Sequence, residues 1–248
     1  MIAADQPSFL PDDVMVRFSS RSDGTVLDRS RGIHDDEVVA TRRAFCEANN
    51  ISYDDVVYQR IIYSNDSTYD VIKEVDERDT SRHTTEVAAD ALFTRATGVG
   101  LFLPVADCVA TVLYDSKQHI LAVLHLGRHS TLTDLLPAVL QKFYEAGSEN
   151  ADLLVWMSPS AGRAHYRLDY FEKIDDPSWQ PFIDKRPDGI YIDMAGYNRQ
   201  RFLDSGLSSD NIHVSPIDTM TDENYFSHAN GDIHGRMGLL AVMRETKS

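Results

Sequence analysis

Apolar positions recur along this chain with two periods, and the switches between them predict its elements. Alternation over β-branched and aromatic residues marks strands at 13–21 (DVMVRFSSR), 55–64 (DVVYQRIIYS) and 69–76 (YDVIKEVD), because successive strand side chains point to opposite faces. Asp-Gly within 22–26 supplies a turn. Val38, Val39, Phe45 and Cys46 fall at helical spacing in 35–50, with Asp35 and Asp36 at its start, where acidic side chains favour a helix N-terminus. Cys46 therefore belongs to a buried helix face. ERDTSRHTTE (77–86) keeps neither period and reads as an exposed loop.

The densest apolar block follows, with strands at 89–94, 98–115, 119–127 and 151–159. A helix over 134–147 starts from Ser130 or Thr133 as its cap, tolerates Pro137 in its first turn and stops at Gly147. AHYRLDYFEKI (164–174) reads as a helix, and 189–207 as a short strand feeding another. NIHVSP (211–216) and GLLAVMR (238–244) are closing strands. No repeat, low-complexity tract or linker-like stretch interrupts the pattern. The expectation is an α+β (mixed α/β) fold, a single domain over 1–248. Strands 98–127 and 151–157 should form one continuous central mixed sheet, flanked by helices near 133–146 and 195–206.

Composition adds exclusions. The chain has 248 residues, 42% hydrophobic and 25% charged, enough for one sizeable core. A net charge of −15 argues against a nucleic-acid partner, since phosphate backbones recruit basic faces. No stretch approaches the ~18 apolar residues of a membrane span, and the N-terminus lacks a basic-then-apolar signal pattern. With only Cys46 and Cys108, the reading is a cytoplasmic protein with two free thiols.

Candidate chemistry gathers where apolar runs end: PVADC (104–108), LHLGRHS (124–130), SPSAGRAHY (158–166) and YFSHANGDIHGR (225–236). Loops at strand ends are open while the strands stay rigid, so ligands bind there. A cysteine and a histidine seventeen residues apart, Cys108 and His125, make a natural zinc pair, and a catalytic zinc wants three protein ligands plus an open position. The bland alternative stays open, because a lone cysteine is commonly a small buried hydrophobe. Arg128, Arg163 and Arg236 are surface charges or, gathered in one cleft, a phosphate site. Asp107 either shapes the strand break or orients a ligand as an acceptor.

The order VADC, H-x-G, SPSAG…Y, NRQ…GL and YFSH…GRM resembles the YfiH-type laccase-domain family, also called multicopper polyphenol oxidoreductase-like or purine nucleoside phosphorylase-like. Its motifs run TADC, HAGWRG, GPxIGxxxYEV, NxxQLxxxGV and FFSYRRDxxTGRM, and the resemblance covers essentially the whole chain. It implies that Cys108 is a metal-binding and catalytic cysteine, His125 a histidine ligand, and Tyr166 the tyrosine of YEV. The sequence also departs from the pattern. The family's other histidine belongs to a QVHG motif, whereas YQRIIYSNDSTYDV (58–71) contains none. Arg128 stands in the tryptophan's place and His129 in the arginine's, and the arginine pair of YRR is lost around His228.

The resemblance implies an enzyme using zinc on adenosine- or inosine-type purine nucleosides, by phosphorolysis or by deamination. Cys108, His125 and Asp107 would be catalytic, and Arg128, Arg163, His165 and Arg236 would bind substrate or phosphate. His83 is the first stand-in for the missing ligand and His129 the second; a metal-free site is the alternative. A different class is a catalytically impaired homologue that keeps the pocket as a nucleoside- or phosphate-binding module. Copper polyphenol oxidation is the least favoured, because no histidine cluster of the necessary size can be assembled. Cys108, His125 and Arg236 should surround one pocket.

Overall fold

The computed structural model describes residues 1–32, 34–64 and 66–245. Strands and helices are numbered in chain order. A six-stranded sheet runs β13 (Ile212–Val214), β9 (Leu153–Met157), β7 (Val109–Asp115), β8 (Ile120–Leu126), β5 (Ala91–Thr94), β3 (Ile72–Glu74). A five-stranded sheet runs β1 (Val14–Phe18), β14 (Met237–Met243), β6 (Gly100–Val105), β2 (Val56–Arg60), β4 (Val87–Ala88). A small third sheet orders β10 (Arg167–Leu168), β12 (Gly189–Ile192) and β11 (Ile183–Arg186). Parallel and antiparallel pairs occur in both large sheets, so the fold is mixed α/β.

Strand alternation decides the layers. Ala110, Val112, Leu121 and Val123 of the six-stranded sheet pack on Val16, Leu101, Leu103 and Leu239 of the five-stranded one. The intervening Val109, Leu113, Ala122 and Leu124 face α3 (Leu135–Glu145), which buries Leu136, Val139, Leu140 and Phe143 on them. Each such side chain contributes about 1.5–3 kcal/mol. On the far side of the five-stranded sheet, Met15, Tyr58 and Phe102 meet Phe45 and Cys46 of α1 (Asp36–Ala48). The side chain of Asp35 caps α1, accepting from the Glu37 and Val38 amides. The N-cap of α3 is Asp134, not Ser130 or Thr133, and its side chain makes no cap bond; Thr133, one position earlier, accepts from the Leu135 amide through its hydroxyl at 3.2 Å. Gly147 follows the last turn at φ +94, a conformation glycine adopts without steric cost. A fourth helix, α4 (Met194–Asp204), covers the same face as α3 and buries Phe202 there.

Two expectations fail. Residues 98–127 and 151–157 do not lie in one continuous sheet, because β6 and β7 belong to different sheets. The chain crosses between them at Asp107, whose φ of +68 breaks the strand. The helix expected over 164–174 is absent. One hydrogen-bonded turn closes on the Gly162 carbonyl, and Arg167 and Leu168 then pair with Tyr191 and Ile190. Strand pairing outweighs the helical spacing. The exposed loop expected at 77–86 is found only in part: Glu77–Asp79 form a 3-10 turn, Thr80 is buried, and the Glu86 side chain is buried against Arg42 at 3.1 Å.

Candidate functional site

The crossing at Asp107 places Cys108 at the start of β7, and β8 delivers His125 one residue before its own end. Ala110 and His125 are register partners, so the two candidate residues come from neighbouring strand ends. Beyond β8 the backbone turns into α2 (Arg128–Thr131), pinned by Ser130: its hydroxyl donates to the His125 carbonyl at 2.6 Å and accepts from the Gly127 amide at 2.9 Å. A Cβ on Gly127 would sit 2.9 Å from Cys108 Sγ and 3.1 Å from His125 Nε2, so these two atoms lie at most about 6 Å apart. Only glycine lets the backbone approach both.

A cavity of about 400 Å³ opens over them, within the range of small-molecule sites. Cys108, His125, Arg128, His129, Tyr166 and Arg236 all line it, although they are distant in sequence. His125 is 3% exposed, and burial, with His129 nearby, pushes its imidazole down to about 4. Burial, with the Asp107 carboxylate adding to it, pushes the Cys108 thiol up to about 12. At neutral pH the pair is therefore a thiol and a neutral imidazole rather than a thiolate and an imidazolium. His129 is likewise held below its ordinary value by burial and Arg128, and its ring stacks on Tyr69 with centroids 4.7 Å apart.

Several expected site residues lie elsewhere. Arg163 pairs with Asp184 at 2.7 Å and donates to the Pro181 carbonyl, away from the cavity. His165 sits beside Asp218, Nδ1 to Oδ2 at 2.6 Å, with its side chain half exposed. His83 is on the exposed loop and does not reach the cavity. Asp107 does not line the cavity; its two oxygens accept from the Thr219 hydroxyl and the Ala229 amide, each at 2.7 Å. In their place the structure supplies Arg29, Tyr63, Tyr69 and His228. The phenol of Tyr63 reaches His125, with Oη 3.4 Å from Nε2. Tyr63 is 57% exposed as a whole residue, and its hydroxyl is the end that meets the buried His125. The absence of histidine from 58–71 was the one sequence signal that something else fills that position.

A zinc ion needs three protein ligands. Cys108 and His125 supply two, and among the described residues no three His, Cys, Asp or Glu side chains gather where one ion could touch them all. The residues present do not fit a three-ligand zinc site. No helix of the described residues is long and apolar enough to cross a membrane.

Residues 19–244 match a family model described as multi-copper polyphenol oxidoreductase laccase. The chain is 29% identical over 203 residues to a purine nucleoside phosphorylase of Corynebacterium glutamicum, covering 80% of this chain and 78% of the relative. It is 27% identical over 216 residues to the purine nucleoside phosphorylase YlmD of Bacillus subtilis, covering 79% and 75%. Among solved structures it superposes on YlmD from Geobacillus stearothermophilus with a TM-score of 0.80 at 23% identity, over 94% of this chain and 93% of that one. The hypothetical protein YfiH of Bacillus licheniformis gives 0.79 at 22% identity, over 93% of each. These two share its fold.

Proposed function

This chain belongs to the multi-copper polyphenol oxidoreductase laccase family, and from that premise we propose that its cavity takes a purine nucleoside with phosphate and catalyses phosphorolysis. The observation that carries this reading is Arg236. Its guanidinium lines the cavity in a residue only 9% exposed, and no carboxylate of the described residues lies within 4.0 Å of it. Nη1 donates instead to the backbone carbonyls of Asp232 and Gly235, at 3.4 and 2.6 Å. A buried cation without a counter-ion is costly, and phosphate supplies one through paired hydrogen bonds. Arg29 and Arg128 add positive charge to the same wall, in a chain whose net charge is −15. Tyr63, Tyr69 and Tyr166 offer aromatic faces for a base.

In this reading a phosphate oxygen attacks C1′ of the ribose as the bond from C1′ to the base nitrogen breaks. The base leaves with the proton that hydrogen phosphate gives up, and the sugar leaves as its 1-phosphate. The arginines offset charge on the phosphate while it is shared with the sugar. Cys108, held as a thiol, is a hydrogen-bonding wall rather than the nucleophile. Copper oxidation would call for a histidine cluster, which the described residues do not form.

A second reading, a nucleoside- or phosphate-binding module without turnover, is favoured by the incomplete ligand set around Cys108 and His125. The test incubates the protein with inosine or adenosine, with and without phosphate, and follows free base and sugar phosphate by chromatography. Phosphate-dependent base release that falls at least tenfold in Arg236→Met supports phosphorolysis. Phosphate binding by equilibrium dialysis without base release leaves the module. An absence of base release together with no binding of phosphate or of nucleoside would sink both readings.

A further inference from the structure

We propose that Tyr63 has taken the place of the third metal ligand, making this a Cys–His–Tyr pocket that does not hold zinc. The upstream histidine of the resembled family falls in 58–71, where this chain has none. After β2 ends at Arg60, that segment brings Tyr63 back over His125. The two rings meet edge-on at 6.2 Å between centroids, and Oη lies 3.4 Å from Nε2. A zinc ion bound to Nε2 would stand about 2.1 Å along the same direction. One ring nitrogen serves the phenol or the metal, and not both. Tyr63 also lines the cavity that Cys108 opens on, so its phenol shares that cavity with the two donors a metal would use.

Among the described residues no other His, Cys, Asp or Glu, His228 included, joins Cys108 and His125 in a group of three that could hold a metal. His83 lies on an exposed loop outside the cavity. His129 lines the cavity, but its ring is stacked on Tyr69. The inference concerns the metal alone and holds whichever ligand the cavity takes.

The decisive variant is Tyr63→His, which supplies the missing imidazole next to Cys108 and His125. Wild type, Tyr63→Phe, Tyr63→His and the double variant Tyr63→His with Cys108→Ala would each be incubated with equimolar zinc. Excess metal is removed by dialysis and zinc per chain is counted. The wild type and Tyr63→Phe should hold under about 0.1 zinc per chain, and Tyr63→His about one, lost again in the double variant. Cobalt(II) added to Tyr63→His should give thiolate charge-transfer absorption, reporting bonding to Cys108, and the wild type should give none. Two results overturn the proposal: about one zinc in the wild type that Cys108→Ala removes, or a Tyr63→His protein with unaltered circular dichroism that holds none. Should Tyr63→His fail to fold, the wild type and Tyr63→Phe decide. Zinc near one per chain in either one overturns the proposal, and its absence from both supports it.

Discussion

The carboxylate of Asp107 accepts from the amide of Ala229 at 2.7 Å, across 122 residues of chain. Its other oxygen takes the Thr219 hydroxyl at 2.7 Å. One side chain thus ties the turn that presents Cys108 to the loop that carries His228 and Arg236. The residue is 6% exposed and sits at φ +68, a conformation that Asp and Asn tolerate better than Ala. Asp107→Ala should lose about 3 kcal/mol in urea unfolding, from two charge-assisted bonds and the backbone conformation. Asp107→Asn keeps the conformation and one acceptor and should lose about half that. Equal losses would mean that only the charge matters.

That residue also marks how far the sequence could be read. The apolar pattern locates β6, β7 and β8 and names Asp107 as a possible strand break, yet periodicity carries no information about which sheet a strand joins. The split follows from a left-handed residue held by partners 112 and 122 positions away. The helix expected at 164–174 fails for a similar reason, its ladder partner being the distant strand β12. In the site, Cys108, His125 and Arg236 were legible because each ends a rigid strand or closes a motif. Arg29 and Tyr63 were not, because they sit on irregular segments whose placement is set by contacts with other loops. Arg163 and His165 were read into the cavity from motif order, and local carboxylates claim them instead.

Arg42 and Glu86 form an ion pair at 3.1 Å with side chains 1% and 5% exposed. The guanidinium also donates to the Val26 carbonyl at 2.7 Å and lies over the Tyr58 ring. Removing one partner strands the other away from water. Glu86→Ala should therefore cost about 3–5 kcal/mol, and Arg42→Met combined with Glu86→Leu should recover most of it. A Glu86→Ala loss under about 1 kcal/mol would show that water reaches the arginine.

Both thiols should be inert in the folded protein. Burial pushes Cys46 up to about 11 and Cys108 to about 12, so at pH 8 the thiolate is about one part in a thousand or fewer. Iodoacetamide at pH 8 should leave both unmodified in native protein and alkylate both in denaturant, as read by intact mass. Alkylation in the native protein should speed up as pH rises. Rapid native modification of Cys108 with Cys46 spared would mean that the cavity favours its thiolate.

The buried imidazole of His125 should set part of the acid response. Its value falls from 6.5 to about 4 on folding, chiefly through burial. Between those values the unfolded chain binds a proton that the folded chain refuses, so stability drops as pH is lowered from 6.5 toward 4 and this contribution levels off below that. Such a shift corresponds to about 3 kcal/mol for a residue 3% exposed. The chain's 39 acidic residues titrate over an overlapping range, so the quantity to measure is a difference. Unfolding free energies of wild type and His125→Gln would be compared at pH 6.5 and 4.5. The variant has no imidazole at this position to charge, so the wild type should lose about 2–3 kcal/mol more than it does across that interval. Parallel losses would mean that the folded imidazole protonates freely, which requires water or an anion beside Nδ1 or Nε2.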